Sequence, residues 1–525
     1  MTTDSLFCAF STTKAFTAAA LSLVIDESKK AAAEGGEGKP IINWDTPIAS
    51  LLGDDFVLSD NHATLSTSLE DALSHRSGLP GHLGAMMLAS PKETLKDVSR
   101  KLRHLPLAYA PRTTFNYCNH MYMVISYILE RITGEDLGSL LQRRIWKPLN
   151  MMDTYFNIHS VRQTPTTNTR VVQGYTYLER QEYYAPEPFA NYAPTTGTGA
   201  IVSTVLDYAK WLRTLIYKQG PISSEGYSQL LHPRTIISPS IAIQSDLMTP
   251  PDCAYHLYAL GWFVNNYHGH QFYWHSGSWP GFNIFVGFIP DMQFGLVLMG
   301  NSGDARIAEL NLYLFLLDKL LGIEREREDY NFANTNNSNI TKQDDITPSS
   351  GREKGTGKET KPETLKDAIN RLYPSLPTPR LNHSVPLSTY AATYKNEGYG
   401  SITLTLSPDL GRESDLDIHR QPYPSMANHD QDYIYTRTTT TTNAVDYRLQ
   451  ADLTDRVMES YLILEHASGE YFVAELRIPG RGGTGSEFFR VQFYIDVLGI
   501  PRKMGIEFEP SLITREMIWF QRIPG

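Results

Sequence analysis

The chain has 525 residues, more than a single domain usually holds, so two domains, or one large and one small, are expected. Hydrophobic residues make up 41% of the chain and charged residues 20%, a globular composition that excludes an intrinsically disordered protein. The formal net charge is −10 and the sequence has no basic stripe, which argues against a nucleic-acid partner.

The cysteines and the apolar runs exclude further classes of protein. Cys8, Cys118 and Cys253 form no C-x-x-C pair, which argues against a disulfide framework and against a thiolate metal site. No apolar run reaches the length of a membrane span. The N-terminus lacks a basic segment followed by an apolar signal core, so the chain as given is predicted to be cytoplasmic.

Apolar helices are predicted through the first half of the chain. Thr12–Ala33 is rich in Ala and Leu and apolar on more than one face, which is typical of a helix at the centre of a large domain. Further helices are indicated by apolar runs and by stop signals such as Gly134 and Pro148. They are Tyr117–Thr133, Leu137–Trp146 and Leu206–Tyr217.

Short strands are predicted next along the chain. Four runs rich in aromatic and β-branched residues are separated by turn signals such as "YHGH" and "PDMQ", and a helix follows at Ala305–Leu321. Helices before and after the strands predict an α+β fold, in which helices flank an antiparallel sheet. The four runs are Tyr258–Asn265, Gln271–His275, Phe282–Ile289 and Phe294–Met299.

The remaining sequence predicts a linker and a β-rich domain. Asn331–Glu363 is polar and nearly free of large apolar residues, which is typical of a flexible linker. After a short helix near Thr364–Leu372, many evenly spaced strand-like runs predict a small β-barrel or sandwich. The predicted division is a catalytic domain at 1–325, a linker at 326–365 and a C-terminal all-β domain at 366–525.

The segment "FCAFSTTKAF" carries the first candidate catalytic pair. Ser11 and Lys14 are three residues apart, so on a helix their side chains share one face and can share a hydrogen bond. Burial disfavours a charged amine, so a buried Lys14 would accept the Ser11 proton. Chance alone gives roughly two or three S-x-x-K matches in such a chain, so the pair needs partners elsewhere.

Two later segments supply candidate partners for this pair. In "FNYCNHMY", Tyr117 offers a phenol that can shuttle a proton, and Asn119 offers an amide that can hold a substrate carbonyl. In "YWHSGSW", His275 precedes Gly277, whose missing side chain would let a substrate lie close to the strand. The backbone N–H of Ser278 would join that of the nucleophile as an oxyanion hole.

Each of these residue types also has an ordinary structural interpretation. Ser11 and Asn119 suit helix ends, and Lys14 suits a solvated surface. Tyr117 and His275 suit a packed core. The "HGH" sequence at a predicted hairpin tip has no further ligand cluster after it, so no metal site is predicted.

Taken in order, the motifs resemble the serine β-lactamase-like family, which holds class C β-lactamases, penicillin-binding D-Ala-D-Ala carboxypeptidases, D-aminopeptidases and esterases. The resemblance covers about Leu6 to Leu321 and includes "LEDALSHRSGLPG", "APRTTFNYCN", "IWKPLNMMDTYF", "APTTGTGAIVSTVLDYAKWL" and "GFIPDMQFGLVLMGN". It implies that Ser11, Lys14 and Tyr117 are catalytic and that no metal or organic cofactor is needed. The implied substrate-binding residues are Asn119, His275, Gly277 and Ser278.

The C-terminal segments "YAATYKNEGYGSITL", "GIEFEP" and "IWFQRI" resemble the lipocalin-like domain that some members of the family carry. The chain also departs from the family pattern at three points. Several dozen residues, including the first strands of the sheet, precede the nucleophile in the family, but ten do here. Either the start codon is misplaced or the protein has lost those strands, and a signal peptide would be missing with them. Arg112 stands where Gly is usual, and His275 stands where β-lactamases carry Lys. Because imidazole is mostly neutral at pH 7, anionic substrates are expected to bind weakly unless a cation such as Arg112 reaches the site.

These observations predict a serine hydrolase that forms an acyl-enzyme with a small ester, amide or short peptide. One alternative is an acyltransferase of secondary metabolism, in which an alcohol rather than water takes the acyl group. The other is a catalytically inactive relative that serves as a binding or scaffolding protein and uses the β-rich tail as its contact surface. Neither the acyl acceptor nor the oligomeric state follows from the sequence.

Overall fold

The structure is a computed structural model that describes most of the chain. Of the predicted linker Asn331–Glu363 only Glu363 is among the described residues, and Cys253 lies outside them. The division into two domains with a linker therefore stays a prediction. The described residues are 1–35, 41–178, 182–189, 194, 196–238, 255–324, 363–408, 447–479, 487–510, 512 and 516–524.

Sixteen α-helices lie within the described residues, most of them before residue 325. They are α1 Thr13–Ala33, α2 Ile48–Leu52, α3 Asn61–Ser66, α4 Leu69–Leu73, α5 Leu83–Met87, α6 Leu95–Lys101, α7 Asn119–Thr133, α8 Leu137–Leu141, α9 Ile158–Gln163, α10 Pro165–Asn168, α11 Thr196–Gly199, α12 Val205–Tyr217, α13 Ser224–Leu231, α14 Ala305–Leu321, α15 Leu365–Leu372 and α16 Leu387–Tyr390.

The strands of the described residues form four antiparallel sheets. They are β1 Phe7–Cys8, β2 Tyr155–Phe156, β3 Tyr175–Leu178, β4 Tyr183–Pro186, β5 Ile201–Ser203, β6 Thr235–Ile237, β7 His256–Tyr258, β8 Phe263–Tyr267, β9 His270–Trp279, β10 Phe282–Ile289, β11 Phe294–Gly300, β12 Thr393–Asn396, β13 Gly400–Thr403, β14 Thr405–Pro408, β15 Tyr447–Asp452, β16 Tyr461–Ser468, β17 Tyr471–Arg477, β18 Glu487–Ile495, β19 Pro501–Ile506 and β20 Ile518–Arg522.

Helix α1 is the central helix of the first part of the chain. Every residue from Thr13 to Ile25 is buried, as the apolar composition of the segment predicts. The predicted helix Tyr117–Thr133 begins later than expected, at Asn119, because Cys118 is extended (φ −127°, ψ 109°). Tyr117 therefore lies in an extended segment just before α7 rather than on the helix itself.

A six-stranded sheet in the order β11-β10-β9-β8-β7-β6 confirms the predicted antiparallel sheet flanked by helices. One predicted strand, Tyr258–Asn265, is in fact two strands joined by a turn. The turn contains Gly261, which has φ +84°, and a Cβ there would lie 2.9 Å from the Cα of Ala15 in α1. The turn thus fits directly against the central helix, which only glycine permits.

The C-terminal strands form one nine-stranded antiparallel sheet in the order β13-β12-β20-β19-β18-β17-β16-β15-β14. The two end strands, β13 and β14, are neighbours along the chain and are separated by Leu404 alone. The sheet therefore curls until its first and last strands come together, which makes it a nearly closed barrel and confirms the predicted barrel-like part. None of the helices described here is both long and apolar enough to cross a bilayer.

Candidate active site

Ser11 lies in a tight turn that leads into α1. The 3₁₀ turn Phe10–Thr12 precedes α1 directly, and Phe10 has a positive φ of 46°. Two interactions hold the turn: the backbone N–H of Ala9 donates to Ile201 of β5 at 2.8 Å, and the Thr12 hydroxyl donates to the Ala9 carbonyl oxygen at 2.8 Å. The turn presents Ser11 at the wall of a cavity of about 460 Å³.

Lys14 lies one helical turn behind Ser11 and is fully buried. Its Nζ is 3.1 Å from the Ser11 Oγ and donates to the Thr198 carbonyl oxygen at 3.2 Å. The amine also lies over two aromatic rings, 4.9 Å from the ring centre of Tyr117 and 5.4 Å from that of Tyr122. Burial lowers the pKa of Lys14 well below its ordinary value, so a neutral amine with a free lone pair is favoured.

Tyr117 and Asn119 approach Ser11 from the start of α7. The Tyr117 hydroxyl is hydrogen-bonded to the Ser11 side chain, and burial raises the pKa of this phenol above its ordinary value. Asn119 lines the cavity, and its Oδ1 is buried without a hydrogen-bond partner. The phenol is therefore held in its protonated form, and the Asn119 amide oxygen is left available to an N–H group in the cavity.

His275 takes a different position from the one expected of a substrate-binding residue. Its side chain is buried, its Nδ1–H donates to the Ser276 carbonyl oxygen at 2.7 Å, and its Nε2 accepts from the Tyr258 hydroxyl at 3.0 Å. Burial is the largest cause that lowers the pKa of His275 to about 3. A neutral ring fits these two hydrogen bonds, which occupy both of its nitrogens, and His275 is not among the described residues that line the cavity.

Gly277 and Ser278 follow on the same strand and differ in what they face. A Cβ at Gly277 would lie 2.3 Å from the Ala9 carbonyl oxygen, so this glycine lets β9 pack against the turn that carries Ser11. Ser278 pairs with Asn283 of β10 and lines the cavity together with Ser11. The structure thus brings Ser278 to the cavity, whereas Gly277 contacts protein backbone.

Two residues near the site carried little signal in the sequence. Thr198 supplies the carbonyl that holds Lys14 and lies in the segment "TTGTGA". His75 lies in the predicted structural turn "SHRSG", is buried with φ +58°, and has its ring centre 4.2 Å from that of Tyr117. Its Nδ1 accepts from the Cys118 N–H at 3.0 Å, so it supports the segment that presents Tyr117.

Charged side chains are nearly absent from the described wall of the cavity. Arg112 has φ +67°, a backbone conformation that favours glycine. Its guanidinium donates a hydrogen bond to the Asp71 carboxylate at 2.8 Å. It does not line the cavity. Among the described lining residues Glu487 is the single charged side chain. The described residues also contain no group of three or more His, Cys, Asp or Glu side chains arranged to hold a metal ion.

Comparison with known proteins shows the family to which the chain belongs. The Beta-lactamase family model matches residues 1–317, and the chain belongs to this family. It is 31% identical to the unguisins hydrolase ungD of Aspergillus violaceofuscus (strain CBS 115571), over 99% of this chain and 82% of that protein. It is 30% identical to the corresponding protein of Aspergillus campestris (strain IBT 28561), over 99% and 84% of the two chains. The protein is thus a hydrolase of the beta-lactamase family.

One solved structure, that of the octameric penicillin-binding protein homologue from Pyrococcus abyssi, matches 99% of this chain and 89% of that chain. The sequence identity is 17% and the TM-score is 0.49.

Proposed function

We propose that this protein is a serine hydrolase in which Ser11 attacks an ester or amide carbonyl and carries the acyl group. One observation supports the proposal most directly. The Ser11 Oγ is 3.1 Å from the buried Lys14 amine, whose pKa is lowered, and Ser11 itself lines a cavity. A nucleophile within hydrogen-bond distance of a neutral base, at the wall of a cavity, has what acyl transfer requires. An inactive scaffold would have no need of this arrangement.

In the first half of the reaction the Ser11 Oγ bonds to the substrate carbonyl carbon while its proton passes to the Lys14 amine. The backbone N–H groups of Ser11 and Ser278 would stabilise the oxyanion that forms. The leaving group departs with a proton relayed through the Tyr117 hydroxyl, which suits a phenol that stays protonated. Asn119 Oδ1 would accept an N–H of the substrate.

In the second half, water attacks the acyl-enzyme and gives its proton to Lys14, and the carboxylic acid leaves as Ser11 regains its proton. The two Aspergillus relatives are named as hydrolases of unguisins, which supports water rather than an alcohol as the acceptor. We therefore assign hydrolysis to this chain, with esters and amides as its substrate class.

The acyl-enzyme is tested by covalent labelling of the full-length protein. A small alkyl fluorophosphonate should add once to the folded chain, and peptide mapping should place the adduct on Ser11, because Lys14 activates only this hydroxyl. Intact mass spectrometry measures the adduct, and heat-denatured protein is the control, since unfolding separates the pair. An adduct on another serine, or equal labelling of denatured protein, would contradict the proposal.

Substrate charge should decide which acyl compounds turn over. With His275 neutral and Arg112 hydrogen-bonded to Asp71, none of the described residues that line the cavity offers a cation to a substrate carboxylate. We expect measurable hydrolysis of a neutral p-nitrophenyl ester and slow or no hydrolysis of penicillins. The measurement is kcat/KM for both substrates at one pH above 7.

Glu487→Gln gives the matched variant for this comparison. Removal of this exposed carboxylate should change kcat/KM for the penicillin by no more than a few-fold, because exposed charges act weakly. The neutral ester should be unaffected. Preference of the wild-type protein for the anionic penicillin would show that a cation does reach the site.

A further inference from the structure

The cavity beside Ser11 has two walls that come from distant parts of the chain. One wall consists of residues from the first part of the chain, among them Ser11, Asn119 and Trp279. The other contains side chains of the nine-stranded sheet and its loops, far along the sequence. These C-terminal residues are Val457, Met458, Leu476, Ile478 and Glu487.

The loop of residues 453–460, between β15 and β16, is fixed to the first part of the chain. The backbone N–H of Val457 donates to the Ala89 carbonyl oxygen at 3.0 Å, and that of Met458 donates to the Met87 carbonyl oxygen at 3.2 Å. Helix α5 thus lies between the nucleophile and this loop, and its residues Leu83, Met86 and Met87 line the same cavity.

A second set of contacts fixes the start of α5 to the C-terminal part. The backbone N–H of His82 donates to the Glu509 carboxylate at 2.5 Å, and the His82 Nδ1 lies 2.7 Å from the Tyr399 hydroxyl. A Cβ at Gly84 would lie 3.0 Å from the Cβ of Phe508, so the two parts are in close contact here. The wall that faces Ser11 is therefore held at both ends rather than loosely apposed.

The side chains of this wall are apolar. Met86, Met87 and Met458 are flexible and polarisable, and they adapt to apolar groups of different shape. Leu476 and Ile478 extend the apolar surface at the end of β17. A cavity of about 460 Å³ is in the usual range for small-molecule sites. Its only charged lining residue within the described chain is the carboxylate Glu487.

We propose that α5 and the 453–460 loop form a substrate pocket that binds an uncharged, apolar acyl group or side chain next to the carbonyl that Ser11 attacks. The C-terminal part thus determines substrate specificity by supplying the wall opposite the nucleophile. The proposal rests on the proposed serine hydrolase function and adds the class of group that the substrate carries.

The test compares p-nitrophenyl octanoate with p-nitrophenyl acetate on the full-length protein. Each methylene buried in an apolar pocket strengthens binding roughly four-fold, so octanoate should be the better substrate by kcat/KM. Met458→Ala should lower the octanoate-to-acetate ratio of kcat/KM about ten-fold. Met458→Leu, which keeps the apolar volume, should retain the ratio.

Met152→Ala is the matched control, because Met152 is 61% exposed and does not line the cavity. Ile478→Ala is a second pocket variant, and thermal unfolding establishes that each variant is folded. An unchanged ratio in both folded pocket variants, or an equal fall in Met152→Ala, would overturn the proposal.

A binding measurement tests the proposed pocket separately from the proposed serine hydrolase function. Calorimetric titration of Ser11→Ala with octanamide and with acetamide needs no reaction. Tighter binding of octanamide, lost about ten-fold on adding Met458→Ala, supports the pocket even if Ser11 proves not to be acylated. Equal binding of the two amides overturns the pocket even if Ser11 is acylated.

Discussion

Ser11→Ala is expected to lower kcat for a neutral p-nitrophenyl ester by up to roughly a million-fold, the loss seen when a serine enzyme is deprived of its nucleophile. The Ser11 Oγ is the atom that lies 3.1 Å from the Lys14 amine and that the Tyr117 hydroxyl contacts. Alanine removes this atom and leaves the base with nothing to activate. The measurement is single-turnover and steady-state release of p-nitrophenol by the purified full-length protein.

The fold should survive this change. Ser11 is only half-buried, and Lys14 keeps its hydrogen bond to the Thr198 carbonyl oxygen when the hydroxyl is gone. The melting temperature should therefore stay close to that of the wild type. Ser50→Ala, at an exposed serine far along the chain from the site, serves as the control and should keep full activity. A folded Ser11→Ala protein with wild-type turnover would end the serine-enzyme interpretation.

The candidate pair could be predicted because its geometry is local. Residues three apart at the start of a helix must lie close together, so the sequence alone indicated that Ser11 and Lys14 meet. The burial of Lys14 was a condition of that interpretation rather than a prediction, because a lysine also suits a solvated surface. Tyr117 and Asn119 were candidates by their chemistry, and the family resemblance implied their roles; the structure places both near Ser11.

Other features could not be predicted because they depend on contacts between distant segments. Gly261 splits a continuous run of strand-forming residues only because its turn packs on Ala15, which lies far away in the sequence. His275 stands next to the site along β9, yet its partner Tyr258 comes from a strand two places away in the same sheet. Strand periodicity predicts the face of the sheet on which a side chain lies, but it does not predict the hydrogen-bond partner of that side chain.

The C-terminal wall of the cavity could not be predicted for the same reason, because it also depends on contacts between distant segments. The evenly spaced strands predicted a small β-barrel or sandwich, but its position over the cavity depends on the hydrogen bonds that the backbone N–H groups of Val457 and Met458 donate to carbonyl groups at and just after the end of α5. Backbone hydrogen bonds of this kind leave no side-chain signature in the sequence. The apolar residues of the 453–460 loop are therefore recognised as pocket residues only in the folded chain.

Lys14→Met is expected to reduce kcat for the same ester by about ten-thousand-fold or more, the upper range for loss of a general base. Methionine keeps most of the apolar stem and suits a fully buried position, so the fold should be preserved. In the proposed mechanism Ser11 and Lys14 act as one unit. The double variant Ser11→Ala/Lys14→Met should therefore be about as active as the less active of the two single variants. Additive losses would show that the two residues act separately.

Lys14→Arg decides whether the residue works as a base or as a charge. Arginine keeps the positive charge but does not release its proton, so the Lys14→Arg protein should be as inactive as Lys14→Met.

The pH dependence of the wild-type activity tests the same role of Lys14 independently. Burial lowers the pKa of Lys14, and in the proposed mechanism the neutral amine is the active form. Activity should therefore be lost as pH falls through this lowered pKa, and it should reach its plateau well below the ordinary lysine pKa of about 10.4. A folded, active Lys14→Arg protein, or a rate that still rises up to pH 10, would assign Lys14 an electrostatic role and leave the Ser11 proton without its acceptor.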